Sequence, residues 1–131
     1  DDRTPVTFIT RYYLDKIKRL CDAHGTKLLF VTAPSPVNHT MQRHNEVQAL
    51  ADALAVPYLD LNLNTEELGI DWNLDTLDGG DHLNYTGCQK ATAYLQRYMQ
   101  THYTLPDRRD DVRYEAWNKQ AEEFEKLLPQ P

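Results

Sequence analysis

The residues best suited to chemistry lie in one short polar stretch, Asp78-Gly79-Gly80-Asp81-His82-Leu83-Asn84. His82 is a candidate general base, because a neutral imidazole accepts a proton at one nitrogen while a carboxylate holds the other in the required tautomer. Asp78 and Asp81 are both close enough in sequence to supply that carboxylate. The simpler interpretation is a flexible loop whose carboxylates make turn hydrogen bonds and cap the next helix. Both interpretations stay open at this point.

The segments around this stretch alternate between helical and extended patterns. Apolar residues recur at helical spacing over 6–23, 40–55 and the segment after Asn84, which predicts three helices. Short apolar runs predict strands at 28–33 and 58–61, and the unbroken first run is typical of a strand buried on both faces. This order favours an α/β domain with parallel strands. In such domains helix N-termini and the carboxyl ends of strands form the ligand crevice, where we expect His82 to lie.

Two further segments complete the chain. The polar segment 62–84 predicts a long loop without regular secondary structure, and loops of that length in compact domains are usually functional. Asn84 is placed to cap the helix that follows the loop. Residues 106–131 are highly charged and carry one apolar stripe, so we predict a helical extension packing on an α/β domain of residues 1–105.

Composition limits the classes of function. The 131 residues suffice for one domain, and 40% apolar with 26% charged residues favours a packed core. Fourteen basic against twenty acidic residues give a net charge of −6, and the aromatic residues are not interleaved with basic ones, so we expect no nucleic-acid binding. No apolar run approaches the roughly 20 residues of a membrane helix. We therefore expect no membrane insertion by this segment.

Two predicted strands are too few for a stable sheet. A two-stranded parallel sheet has two open edges and cannot bury both faces of its apolar runs. We expect the sheet to be completed either by an upstream half of the same gene product or by a second copy of the chain.

The stretch from Asp78 to Tyr98, DGGDHLNYTGCQKATAYLQRY, resembles the last characteristic block of the SGNH (GDSL-like) hydrolase family. His82, Asn84 and Gly87 match that block, and LLFVTAPSP and VPYLDLN resemble later strands of the fold. The resemblance implies part of a flavodoxin-like three-layer α/β/α sandwich with parallel strands. In the family an aspartate stands three residues before the histidine, where this chain has a glycine. Either flanking aspartate could then be the partner, since glycine allows the loop to bulge.

The nucleophile of that family is a serine in an early Gly-Asp-Ser block, which this chain lacks. Its one serine, Ser35, stands between two prolines, and we interpret it as structural. The resemblance thus implies that the chain is the C-terminal segment of a serine esterase or O-acyltransferase. The substrates would be acetyl or other acyl esters of carbohydrate or cell-wall material. The segment alone is expected to be inactive. The resemblance also implies a membrane-anchored parent protein that works outside the cytoplasm. The alternative is a non-catalytic α/β module that binds carbohydrate or protein, with the glycine at position 79 marking a lost acid.

Other clusters have less specific patterns, and we predict no metal and no cofactor. Four loop aspartates could attract Ca²⁺ but lack the spacing of an EF-hand loop; they are Asp71, Asp75, Asp78 and Asp81. His39 and His44 are five residues apart, so they would not share a helix face as zinc ligands, and we expect solvated side chains at a helix start. Cys88 could be an activated thiol near a helix N-terminus, but its apolar neighbours on the helix favour a small core residue.

Overall fold

The computed structural model describes residues 2–128. Within this range the chain forms five α-helices, two β-strands and two 3₁₀ helices. The helices are α1 (Phe8–Ala23), α2 (Met41–Leu54), α3 (Thr65–Leu68), α4 (Tyr85–His102) and α5 (Glu115–Leu127), the strands are β1 (Phe30–Thr32) and β2 (Tyr58–Asp60), and the 3₁₀ helices cover Leu61–Asn64 and Val112–Tyr114.

The two strands form a parallel sheet, with Phe30 opposite Tyr58 and Thr32 opposite Asp60. The helix α2 connects them, as parallel pairing requires a crossover. The general α/β class predicted from the sequence is therefore confirmed, with parallel strands.

Polar caps fix where the helices begin. The Thr7 and Thr40 side chains accept hydrogen bonds from the backbone three residues on, at 3.1 and 3.2 Å. The Oδ1 atom of Asn84 accepts the Gly87 N–H at 3.1 Å at the start of α4, which confirms the predicted cap. At the other end of α2, Ala55 adopts a left-handed conformation with φ 51° and closes the helix.

The buried core is formed around α2 and β2. Its apolar members come from α2, β2 and the segments that follow each of them: Leu50, Ala51, Val56, Leu59, Leu61 and Leu68. The prediction that the first strand is buried on both faces is wrong, because Val31 is 40% exposed. With only two short strands among the described residues, one face of β1 has no covering layer in this part of the chain.

The polar segment 62–84 is more ordered than the sequence pattern indicates. The first 3₁₀ helix and α3 occupy its beginning, and Thr76 pairs with Leu83 in an isolated antiparallel bridge near its end. The prediction of a structureless loop is therefore wrong. Short elements of three or four residues leave no periodic signal in a sequence.

The helix α1 presents much of its apolar stripe to solvent. Phe8, Ile9, Tyr13 and Leu20 are all more than half exposed. The N-terminal end of α1 is held against α2 by Glu46. This buried carboxylate accepts hydrogen bonds from the Val6 N–H (3.4 Å) and the Arg11 guanidinium (3.3 Å).

The chain divides into two compact units between Leu95 and Gln96, inside α4. The second unit holds the end of α4, the second 3₁₀ helix and α5. The packing predicted for the extension 106–131 stays a prediction, and its residues 129–131 lie outside the described residues, as does residue 1. None of the helices within residues 2–128 has both the length and the apolar character needed to cross a bilayer.

Candidate functional site

His82 lies in a narrow loop closed by the Thr76–Leu83 bridge. The Leu77 N–H donates to the His82 carbonyl oxygen at 2.9 Å, so the loop returns on itself over four residues. Asp78 then holds His82 at two points: its Oδ1 accepts the His82 backbone N–H at 2.7 Å, and its Oδ2 lies 2.7 Å from the imidazole Nδ1. One carboxylate thus fixes both the backbone and the ring of the candidate base.

Asp81 is the more distant of the two candidate acids. Its Oδ2 lies 3.6 Å from His82 Nδ1, and its Oδ1 accepts a hydrogen bond from the Asn38 side-chain amide. Gly80 is buried against the β1–α2 connection, where a Cβ would lie 2.8 Å from Pro36 Cγ, and its φ of 103° suits glycine alone. The structure therefore brings both aspartates to the ring but gives the direct hydrogen bond to Asp78.

The electrostatics of this pair follow from the short contact. The hydrogen bond from His82 is the largest cause that lowers the pKa of Asp78. The same bond, followed by the charges of Asp78 and Asp81, raises the pKa of His82 above its ordinary 6.5. The His82 side chain is 69% exposed, and its contacts with described residues are made through Nδ1. Its Nε2 is therefore the nitrogen available to receive a proton from outside the loop.

A second set of contacts docks this loop on α4. The Asp75 side chain, 1% exposed, lies 2.6 Å from Lys90 Nζ, and its Oδ2 accepts the Asp71 N–H at 2.7 Å. These bonds, the one from Lys90 first, lower the pKa of Asp75. The backbone of Asp75 also touches Gly87, where a Cβ would lie 2.3 Å from its carbonyl oxygen. The loop is thus anchored to the first two turns of the helix.

The structure shows a second cluster that the sequence argument missed. The Asp60 side chain, 1% exposed at the carboxyl end of β2, lies 2.7 Å from His44 Nδ1 and 3.1 Å from His39 Nε2, both measured to Oδ2. The Tyr58 hydroxyl donates to the same oxygen at 3.1 Å, and Asn62 donates two hydrogen bonds to Oδ1 at 3.0 and 2.9 Å. We call the three residues His39, His44 and Asp60 the two-histidine cluster.

The expectation that these histidines are solvated is wrong, because their side chains are only 18% and 15% exposed. The spacing argument failed because His39 precedes Thr40, the cap of α2, while His44 lies in the first turn of that helix. The third residue of the cluster, Asp60, comes from β2. The only sequence signal for it was an aspartate near the end of a predicted strand.

Burial and hydrogen bonding act against each other in this cluster. Burial alone would raise the pKa of Asp60, but the hydrogen bonds from Asn62, His44 and Tyr58 together lower it. Burial is the largest cause that raises the pKa of Tyr58, to about 12, so its hydroxyl stays protonated and remains a donor at neutral pH. Asp60 is therefore held as a carboxylate inside the protein.

A cavity of about 240 Å³ adjoins the two-histidine cluster. It lies beyond the carboxyl ends of β1 and β2, where parallel sheets bind ligands. The residues around it include Thr32, Ser35, Asn38, His39, His44, Tyr58 and Asn62, together with the apolar Ala33 and Val47. Asn38 belongs to this wall and also contacts Asp81, so the cavity and the His82 loop are neighbours through one side chain.

Ser35 lines this cavity but is held as a turn residue. Its N–H donates to Asn62 Oδ1 at 2.7 Å, and its Oγ accepts the Asn38 N–H at 3.1 Å. The structural interpretation of Ser35 accounts for both contacts. No described histidine makes a hydrogen bond to its hydroxyl, which a nucleophile–base pair would require.

The remaining sequence candidates do not assemble. Of the four loop aspartates, only Asp78 and Asp81 lie in a group with suitable ligand spacing among the described residues, together with His82. The prediction that Cys88 is a core residue is wrong, because the residue is exposed. In this turn of α4 it is Gly87 that packs against the segment of Asp75 and Leu83. The next residue, Cys88, is therefore turned outward.

These observations define the class of the protein as α/β with a two-stranded parallel sheet and polar clusters at the carboxyl ends of its strands. The chain matches no family model, no curated protein and no solved structure.

Proposed function

We propose that this chain is the C-terminal segment of an SGNH-like serine esterase or O-acyltransferase, and that it supplies the histidine and the acid of the catalytic triad. The observation that carries the proposal is the 2.7 Å contact between His82 Nδ1 and Asp78 Oδ2, with Nε2 available. A carboxylate on Nδ1 leaves the second nitrogen as a proton acceptor, which is the arrangement a triad needs. The resemblance of residues 78–98 to that family gives the reaction class.

In the proposed reaction, a serine outside this chain attacks the carbonyl carbon of an acyl ester. His82 Nε2 takes the hydroxyl proton as the bond forms, and Asp78 stabilises the resulting imidazolium. The tetrahedral intermediate collapses when the alcohol leaves with that proton, and water or a second alcohol then releases the acyl group. The donors that hold the oxyanion would come from the segment that carries the serine.

The open sheet supports the same proposal. Both edges of a two-stranded sheet pair readily with further strands, and α1 presents an apolar face that another layer would cover. We propose that an upstream half of the same protein completes a flavodoxin-like three-layer sandwich. The alternative is that a second copy of this chain completes the sheet. The mass of the protein in solution distinguishes a dimer from a monomer and so tests this alternative.

The resemblance also suggests acetylated carbohydrate or cell-wall polymer as the substrate, and a membrane-anchored parent that works outside the cytoplasm. These suggestions rest on the family, not on contacts in the structure. A panel of acetylated and longer acyl esters of sugars would test the substrate class.

The decisive experiment measures kcat and KM for a short acyl ester in the full-length gene product. We expect His82→Ala and Asp78→Asn each to lower kcat by several orders of magnitude, as loss of a triad base or its tautomer-fixing acid does. Asp81→Asn is the matched control in the same loop, and it should have a much smaller effect because Asp81 lies 3.6 Å from the ring. A His82→Ala protein with most of its activity would overturn the proposal.

A second candidate is a non-catalytic binding module, and the cavity beside the two-histidine cluster favours it. At about 240 Å³ the cavity is smaller than the roughly 300–1,000 Å³ of drug-sized ligand sites, so it suits a small ligand. The upstream sequence discriminates between the candidates. A Gly-Asp-Ser block after a predicted strand favours the enzyme, and its absence favours the binding module.

A further inference from the structure

Three side chains of the two-histidine cluster and its surroundings point at one oxygen of the Asp60 carboxylate. Each carboxylate oxygen of Asp60 has two lone pairs. The two hydrogen bonds from Asn62 use both lone pairs of Oδ1. Three groups converge on Oδ2: the Tyr58 hydroxyl, His39 Nε2 and His44 Nδ1. If both imidazoles donate a hydrogen, the lone pairs of Oδ2 are filled and the Tyr58 hydroxyl donates to Thr32 Oγ1 instead.

A bound cation gives a second complete arrangement of the same groups. The two imidazole nitrogens would then present lone pairs, and Oδ2 would give one lone pair to the ion and the other to the Tyr58 hydroxyl. Thr32 Oγ1 lies 2.8 Å from the Tyr58 oxygen and would donate to it. Every polar atom of the cluster then has a partner, as buried polar groups require.

We propose that His39, His44 and Asp60 form a binding site for Zn²⁺, with His39 Nε2, His44 Nδ1 and Asp60 Oδ2 as the three protein ligands. Two imidazoles and one carboxylate are a ligand set that Zn²⁺ prefers, whereas Mg²⁺ and Ca²⁺ prefer oxygen alone. This proposal is independent of the role of His82.

The geometry and the burial of the cluster fit that ion. The Asp60 Oδ2 atom lies 2.7 Å from His44 Nδ1 and 3.1 Å from His39 Nε2. Bonds of 2.0–2.2 Å at tetrahedral angles separate ligand atoms by about 3.4 Å, so an ion would replace these contacts and move the side chains apart by less than about 1 Å. The Asp60 side chain is 1% exposed, and its charge inside the protein calls for a compensating cation. The ion pairs of Asp60 in the structure are both with imidazoles, which are charged only when protonated.

The surroundings of the cluster supply what a metal site needs beyond its ligands. Asn62 fixes the carboxylate from the far side, as outer hydrogen bonds orient metal ligands. Two of the ligands, His39 and His44, line the 240 Å³ cavity. A fourth coordination position on that side would take water or an oxygen atom of a small ligand, because three protein ligands leave zinc one position short of four.

The first test locates the ligands in the unaltered chain. After dialysis against a chelator, the chain is titrated with Zn²⁺ while ¹H–¹⁵N long-range spectra record all histidine side chains. We expect one equivalent of Zn²⁺ to shift the ¹⁵N signals of His39 Nε2 and His44 Nδ1 and to leave the exposed His24 unchanged. Shifts confined to His82, which lies in the other group of closely spaced ligands, would overturn the assignment.

The second test compares variants by competition with a chromogenic chelator. His39→Ala and His44→Ala should each weaken Zn²⁺ binding by about 100-fold or more, since even outer hydrogen-bond partners are worth 10–100-fold. His24→Ala is the matched control and should bind as the wild type does. With Co²⁺ in place of Zn²⁺, the wild type should show the intense visible bands of four-coordinate cobalt. Unchanged affinity in both cluster variants, or no stoichiometric binding by the wild type, would refute the site.

Discussion

Substituting Gly87 tests how the His82 loop is held, because two physical effects of opposite sign meet there. Gly87 lies in the first turn of α4, and alanine at a helical position is normally more favourable than glycine by about 1 kcal/mol. In this structure, however, an alanine Cβ would lie 2.3 Å from the Asp75 carbonyl oxygen and 3.1 Å from Leu83 Cδ2. Helix propensity thus predicts a gain in stability, whereas packing predicts a loss.

The magnitudes decide the sign. Forcing an extra carbon into a packed contact costs about 1–3 kcal/mol, and the upper end applies here because the atom in the way is backbone. The same carbonyl oxygen accepts the Asn84 N–H at 2.9 Å, so moving it also strains a hydrogen bond worth about 1 kcal/mol. Subtracting the gain in propensity of about 1 kcal/mol from the packing cost of about 3 kcal/mol leaves about 2 kcal/mol. Full loss of the strained hydrogen bond would raise this to about 3 kcal/mol, so we expect Gly87→Ala to destabilise the protein by about 2–3 kcal/mol.

The assay is urea unfolding followed by tryptophan fluorescence in a Trp117→Phe background. Trp72 lies in the segment anchored by Asp75, so the remaining fluorescence reports the unit that contains the loop. Thr86→Ala, one residue earlier in α4 and exposed, is the matched control. It should leave stability unchanged or raise it by a few tenths of a kcal/mol. A Gly87→Ala variant as stable as the wild type would refute the contact between α4 and Asp75.

Three further predictions concern the charged groups and the activity of the chain. An NMR titration should place the pKa of His82 above 6.5. Asp78→Asn should lower that pKa most and Asp81→Asn should lower it less, because the hydrogen bond to Asp78 is the largest cause of the rise. Equal effects of the two variants would contradict the geometry. The pKa of Asp75 lies below its ordinary 3.8 because of Lys90, so the stabilisation by this pair is present above that value and is lost as pH falls through the lowered pKa. The difference in urea midpoint between wild type and Lys90→Met should accordingly shrink from pH 6 towards pH 2, and a constant difference would exclude the ion pair as its source. The isolated chain should neither hydrolyse a short acyl ester nor be labelled by a fluorophosphonate probe, and rapid turnover would show that it carries its own nucleophile.

The helices and the His82 loop were predictable because their determinants are local. The cap at Thr40 stands immediately before α2, and Asp78 and His82 are four residues apart in one tight loop. A short loop can bring such neighbours together whatever the rest of the fold does. The choice between Asp78 and Asp81 was not predictable, because it depends on Asn38, 43 residues away, which engages Asp81.

The two-histidine cluster and the exposure of β1 are non-local properties. His39 and His44 approach each other only because β2 delivers Asp60 between them, and no spacing rule within one helix describes that arrangement. Similarly, the apolar run at β1 predicts burial. Whether Val31 is covered, however, depends on what packs against the sheet, and the run itself carries no information about that. The need for glycine at position 87 is also non-local, because it arises from the close approach of the Asp75 backbone, 12 residues earlier in the chain.

The connection between β1 and α2 supports both polar clusters. Asn38 donates its N–H to Ser35 Oγ and its side-chain amide to Asp81, and its carbonyl oxygen accepts a hydrogen bond from the Arg43 guanidinium at 2.6 Å. The next residue is His39, a member of the two-histidine cluster. Both clusters therefore form from elements that this chain contains, even though the sheet is open. Their geometry and protonation and the proposed zinc binding can be measured in this chain, whereas the proposed ester chemistry would also need a serine from outside it.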